Sequence, residues 1–202
     1  MQVTESLNIV LLPDSAAQKM AISLSKKLAQ RFPTEFVLNQ NDVLPHITLY
    51  QTDFPKKNLE RIKSTIGKIS KQIKPFKIRL SSFSSLSNFL FWNIKKSEKL
   101  LALHNRIISE LNPLREGYIK KELLNIKNLY PGVQEDVNHY GSLLVGKNYL
   151  PHLTITFLKK LEDVKEALKL FHYKAPINFR VQSISLGLSG RFGTVNKLIQ
   201  YL

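Results

Sequence analysis

The chain of 202 residues contains no cysteine. Disulfides, thiolate zinc sites and a cysteine nucleophile are excluded together, and a reducing cytoplasm is the compartment that suits such a composition. Glycine (8) and proline (9) are sparse, which removes collagen-like and low-complexity readings. No apolar run approaches the roughly 18 residues that span a bilayer. The longest, such as Phe89 to Trp92, has the length of a strand. The opening residues, MQVTESLNIV, lack a basic stretch followed by an apolar one, so neither a secretory signal nor a membrane association is expected. Acidic residues are scarce too: fifteen Asp and Glu stand against thirty Lys and Arg.

What is present is ordinary for a globular protein, with 43% hydrophobic and 22% charged residues. A chain of this length fits one domain over 1–202, able to withdraw roughly 70% of its extended surface from water. A monomer is expected. The charge balance gives +15 at pH 7, an excess that attracts polyanions such as nucleic acid. It is concentrated between Lys56 and Arg79, where seven Lys and two Arg face one acid, Glu60. Two readings stand: a solvated basic face on a helix, or a polyanion footprint.

Helix and strand patterns alternate. Leu7 to Leu12 suits a buried strand, and Pro13, Asp14 and Ser15 then open a helix whose apolar stripe runs through Met20, Leu24 and Leu28. Phe36 to Leu38 and Ile47 to Tyr50 read as strands. Leu59, Ile62, Ile66, Ile69 and Ile73 repeat at helical spacing. Phe76 to Phe83 and Phe89 to Ile94 read as strands, and Leu100 to Leu111 as an amphipathic helix started by Ser97. The stretch 113–147 is a candidate insertion or lid. Leu153 to Leu158 reads as a strand and Leu161 to Phe171 as a helix. Phe179 to Leu188 and Val195 to Leu202 read as a closing hairpin around Gly190 to Gly193. Interleaving of this kind argues for one α/β or α+β domain without a linker.

A repeat lies inside this order. Pro45-His46-Ile47-Thr48-Leu49 recurs as Pro151-His152-Leu153-Thr154-Ile155. After each copy come a helix and two strands, so two similar units could pack about a pseudo-twofold axis. Side chains alternate along a strand, which sends His46, Thr48 and Tyr50 to one face and Ile47 and Leu49 to the other. Likewise His152, Thr154 and Thr156 oppose Leu153, Ile155 and Phe157. Two such strands side by side gather two imidazoles and two hydroxyls around a space that suits a tetrahedral phosphate. One neutral imidazole can take a proton from an attacking water while the other, protonated, gives one to the leaving oxygen. The Thr48 and Thr154 hydroxyls can hold non-bridging oxygens where charge builds. No metal or cofactor is expected, because the five histidines show no metal-ligand spacing with Asp or Glu.

PHITL and PHLTI resemble the paired H-x-T-x motifs of the two-histidine (2H) phosphoesterase superfamily, which includes the bacterial RNA 2′,3′-cyclic phosphodiesterases also called 2′-5′ RNA ligases. The resemblance extends over the opening strand and helix, the Leu103-His104 helix after FLFWNI, the Tyr140-Gly141 to Tyr149-Leu150 approach to the second motif, and the final hairpin. It implies an α+β, bilobal fold of two pseudo-twofold-related antiparallel sheets with outer helices. It also implies metal-independent attack on a 2′,3′-cyclic phosphate or a 2′-5′ linkage, with RNA ends or cyclic nucleotides as substrates. By motif position, His46 and His152 carry over as acid and base, and Thr48 and Thr154 as phosphate binders.

Other residues are weighed singly. Tyr50, on the His46 face, is a candidate to stack on a base or to close the strand end. Arg191, in the Gly190–Gly193 turn, is a candidate phosphate contact or a solvated turn residue. His104 lies on the apolar side of its helix and reads as a core or boundary histidine; His139 and His172 read as surface. Besides a cyclic phosphodiesterase, two alternatives stand: an RNA-binding module without turnover, and a related enzyme acting on cyclic dinucleotides or a non-nucleic phosphoester.

Overall fold

The computed structural model describes residues 3–126, 129–171, 177–181 and 183–201. Strand β1 (Thr4–Leu11) leads into helix α1 (Ser15–Ala29), whose first turn is capped by the Asp14 carboxylate accepting from the Ala17 N–H at 2.9 Å. Strand β2 (Ile47–Pro55), helix α2 (Leu59–Gln72), β3 (Phe76–Leu86), β4 (Phe89–Ile94) and α3 (Glu98–Leu111) follow. Two short helices, α4 (Lys121–Leu124) and α5 (Pro131–Tyr140), precede β5 (His152–Phe157). The chain closes with α6 (Val164–Lys169), β6 (Ile177–Val181), β7 (Ser185–Ser189) and β8 (Val195–Tyr201).

The eight strands form one antiparallel array in the order β6-β3-β4-β5-β2-β1-β7-β8. Its two halves meet where β2 and β5 share a single pair, Ile47 with Leu153. The order is symmetric about that pair: β1 mirrors β4, β7 mirrors β3, and β8 mirrors β6. An α+β fold of two four-stranded sheets joined at the middle results, with a pseudo-twofold axis through the junction. The halves are not the two halves of the sequence. Strands β3 and β4, which follow the first motif, pair on the β5 side, whereas β7 and β8, which follow the second, pair on the β1–β2 side.

One face of the sheet carries the core. Leu7, Ile9, Leu11, Ile47 and Leu153 are fully buried in one cluster with Ile62, Ile66 and Ile69 of α2. At about 1.5–3 kcal/mol for each buried aliphatic side chain, that isoleucine stripe anchors α2 to the sheet. Lys68 and Lys71 on its other side are exposed, as is Lys74 just beyond its C-terminal end. Helix α3 joins the same cluster through Leu100, Leu103, Ile107 and Leu111.

Two sequence expectations change. Phe36 to Leu38 is not a ladder strand, because side chains take up its backbone groups: Ser25 accepts from the Leu38 N–H and Thr156 donates to the Phe36 carbonyl. Phe179 to Leu188 is not one strand either. Phe179 pairs with Ile78 and Leu186 with Ile9, in opposite halves of the sheet, so the chain crosses over between them. The segment 113–147 is tied down at its base. The buried Arg115 guanidinium donates to the carbonyls of Tyr118 and His139, and Asn112 donates to the His139 carbonyl.

Candidate active site

Each motif begins with a leucine, a proline and a histidine. Proline fixes its own φ and keeps the preceding residue extended, which holds the leucine carbonyl beside the ring two residues on. His46 Nδ1 lies 2.8 Å from the Leu44 carbonyl oxygen, and His152 Nδ1 lies 2.6 Å from that of Leu150. A carbonyl only accepts, so Nδ1 carries the proton in both rings and Nε2 is the free lone pair. The two sites repeat this arrangement about the pseudo-twofold axis. The antiparallel pair Ile47–Leu153 fixes the rest: continuing its register by one residue sets His46 beside Thr154 and Thr48 beside His152. Both pairs lie on the face opposite the buried Ile47 and Leu153, in the groove where the sheets join. Neither threonine hydroxyl has a hydrogen-bond partner among the described residues.

The groove disfavours charge on the rings. Burial lowers the His46 pKa below its ordinary 6.5, against the raising effect of the Leu44 and Gly193 backbone contacts. His152 is pushed down to about 4, chiefly by burial and further by the proximity of His46. Its ring stacks on Phe91 with centroids 3.8 Å apart. Both imidazoles are therefore neutral near pH 7 in the free protein. A phosphate anion between them would favour the charged form.

A β-bulge follows the threonine in each motif. Val10 pairs with Thr48 but Ile9 with Tyr50, leaving Leu49 as the inserted residue. In the other half Phe91 pairs with Thr154 but Leu90 with Thr156, leaving Ile155 inserted. Each insertion reverses the alternation of the residues beyond it. Tyr50 and Thr156, expected on the histidine face, turn to the buried side at 0% exposure. Gln51 and Phe157 take their place on the groove side, paired with Asn8 and Phe89.

The groove thus has two unlike walls. Beside His46 lies the amide of Asn8, with Gln51 opposite Asn8 across the ladder. Asn8 is fully buried, donates from Nδ2 to His46 Nε2 at 3.4 Å, and leaves its own amide oxygen without a partner. Beside His152 and Thr154 lies a phenyl cluster: Phe157 stacks on Phe192 at 4.5 Å and meets Phe89 edge-on at 4.6 Å. Phe192 sits at φ 59°, a left-handed conformation costly for a bulky residue. The only sequence sign of Asn8 is an amide within the otherwise aliphatic run Leu7 to Leu12.

The structure brings His46, Thr48, His152 and Thr154 together. It does not bring Tyr50 with them: its hydroxyl donates to the Tyr140 carbonyl at 2.7 Å and to Asn112 at 3.0 Å, tying β2 to the 113–147 segment. Arg191 is exposed on the turn whose Gly193 carbonyl accepts from Asn8, and its guanidinium lies 4.6 Å over the Phe192 ring. His104 is fully buried and His139 exposed; His172 lies outside the described residues. Among the described residues no three His, Asp or Glu side chains gather as a metal-binding group, and no helix is long and apolar enough to cross a membrane.

A family model described as the 2′-5′ RNA ligase superfamily matches residues 13–191. A candidate phosphoesterase of Bacillus licheniformis is 25% identical over 160 residues, covering 77% of this chain and 71% of the relative. Among solved structures, the Thermus thermophilus protein TT0787 superposes with a TM-score of 0.59 at 15% identity, over 96% of this chain and 95% of that one. Escherichia coli LigT, solved with phosphate, gives 0.52 at 14% identity, over 98% of this chain and 95% of that one. LigT has also been solved with 3′-AMP. At these identities the structural likenesses establish the fold.

Proposed function

The chain belongs to the 2′-5′ RNA ligase superfamily, and from that premise we propose that it is a phosphodiesterase that opens 2′,3′-cyclic phosphates, or cleaves 2′-5′ linkages, by acid–base catalysis with His46 and His152. The observation that carries this reading is the matched pair of imidazoles, each with Nδ1 locked to the carbonyl two residues upstream and Nε2 unprotonated, that of His46 accepting a long contact from Asn8. In the reaction, one neutral Nε2 takes a proton from water as its oxygen bonds to phosphorus. The bond from phosphorus to the 2′ or 3′ oxygen breaks, and the other, protonated imidazole gives its proton to that oxygen. The two histidines end with their protonation states exchanged. Thr48 and Thr154 hold the non-bridging oxygens. A 5′-hydroxyl in place of the water, attacking the same phosphorus as the ring P–O bond breaks, gives ligation.

The unlike walls support a nucleotide as substrate, with its base toward the phenyl side and its polar groups toward Asn8 and Gln51. The position of α2 favours a small substrate or an RNA terminus over a long strand, since its basic face lies away from the groove. Turnover of a small nucleoside 2′,3′-cyclic phosphate, compared with a cyclic-phosphate-ended oligomer and run in EDTA, tests the reading. Opening of the small substrate with EDTA present supports it. No turnover of either substrate would leave an RNA-binding protein or a different phosphoester as the answer.

A further inference from the structure

The bulge at Leu49 takes the backbone out of the regular ladder beside Thr48, and buried carbonyls there require partners. Two side chains from outside the sheet supply them. His104 of α3 donates from Nδ1 to the Leu49 carbonyl at 2.7 Å, and the Tyr149 hydroxyl donates to the Thr48 carbonyl at 3.1 Å. Both residues are buried, and their rings stack with centroids 3.6 Å apart at 8°. The other nitrogen of His104, Nε2, accepts the Gly146 N–H at 3.1 Å. Gly146 opens the turn that leads to Tyr149, and the next carbonyl, Leu150, is the one that orients His152. One stacked pair therefore grips the backbone at Thr48 and Leu49 and, through two adjacent residues, the carbonyl that aims His152.

A histidine kept only for packing would need no such set of partners; Leu or Phe would fill the space. Here the ring must be neutral, with one nitrogen donating and the other accepting, a pairing that Lys and Arg cannot provide. We propose that His104 and Tyr149 are a positioning pair for the groove, setting the orientation of Thr48 and the spacing of His46 and His152 from the core side of the sheet. The inference rests on the phosphodiesterase reading given above. A displacement of reacting groups by about 1 Å can cost on the order of 10²-fold in rate, so partial release of this grip should be visible in turnover.

Tyr149→Phe keeps the ring and its stack and removes only the hydrogen bond to Thr48. It should lower kcat about tenfold with KM changed less than about twofold, while far-UV circular dichroism stays that of the wild type. In a Thr48→Val background the same change should cost less than about twofold, because the group it positions is already gone. Equal losses in both backgrounds, or no loss in either, would overturn the proposal. His104→Gln retains a donor and an acceptor and should keep most of the activity that His104→Leu loses. If His104→Leu does not fold, the Tyr149 cycle decides alone. Absence of cyclic-phosphate turnover in the wild type would count against the function, not the pair. The pair is then judged by inorganic phosphate titrated against the His46 and His152 ring signals in NMR. Phosphate affinity several-fold weaker in Tyr149→Phe supports it, and unchanged affinity refutes it.

Discussion

Lowering the pH should destabilise this fold through a histidine that takes no part in chemistry. His104 is fully buried, and its pKa is lowered to about 4, first by burial and then by Lys96, against the opposing Leu49 carbonyl and Asp136. In the unfolded chain it titrates near 6.5, so across the interval between these values the unfolded state binds the extra proton. The folded value lies below the unfolded one, so the stability is complete above pH 6.5 and is lost as pH falls toward 4. Each tenfold change in proton affinity is worth about 1.4 kcal/mol, so passing from about pH 7.5 to about pH 4.5 removes about 2.5 kcal/mol through His104. In a chain of this size that corresponds to a Tm about 5–10 °C lower. The assay is urea denaturation of wild type and His104→Gln at both pH values. His46 and His152 also destabilise on acidification, but they are common to both proteins and cancel in the difference of differences. Glutamine does not titrate, so the variant should lose about 2.5 kcal/mol less than the wild type on acidification, whatever its stability at neutral pH. Equal losses in the two proteins would refute burial as the fate of this ring.

Thr48→Val and Thr154→Val keep the β-branched shape and remove the hydroxyls that face the groove; each should raise the barrier in kcat/KM by roughly 2–4 kcal/mol, and full activity in the double variant would limit both threonines to the strand. Because His46 and His152 both titrate below 6.5 in the free protein, kcat/KM should be bell-shaped with its maximum on the acid side of that value. The kcat profile should lie at higher pH, since bound phosphate raises both imidazoles; coincident profiles near pH 8 would contradict this electrostatic picture. Lys68→Glu and Lys71→Glu on α2, with Lys74→Glu just beyond it, reverse exposed charge away from the groove, and KM for a cyclic mononucleotide should hold within about twofold as the salt slope for an oligomer stays shallow. A steep slope abolished by the reversals would return α2 to substrate binding.

The parts of this site legible in the sequence are those that depend on neighbours in the chain. Two-residue alternation sends His46 with Thr48 and His152 with Thr154, and it holds because nothing interrupts the strand between them. One residue later it fails twice. A bulge is a property of a strand and its partner together, and nothing local marks Leu49 or Ile155 as the inserted residue. Tyr50 therefore reads as a groove residue when it is a buried one, and Gln51 and Phe157 pass unnoticed. Asn8 reaches His46 across 38 positions of sequence, a distance over which periodicity carries no information. The exchange of β3 and β4 with β7 and β8 between the sheets is hidden for the same reason, since a repeat of helix and strands does not say which partner each strand finds. The helical face of His104 marks it as a core or boundary histidine, whereas its bonds to Leu49 and Gly146 come only from the packing.

If His46 and His152 act as one acid–base pair, neither can be spared, and kcat for His46→Ala and for His152→Ala on a nucleoside 2′,3′-cyclic phosphate tests this without intermediaries. Each substitution should lower kcat by at least about 10²-fold. The double variant should be little worse than either single one, because neither proton transfer is useful without the other. Retention of near wild-type turnover in either folded single variant would rule out a two-histidine mechanism.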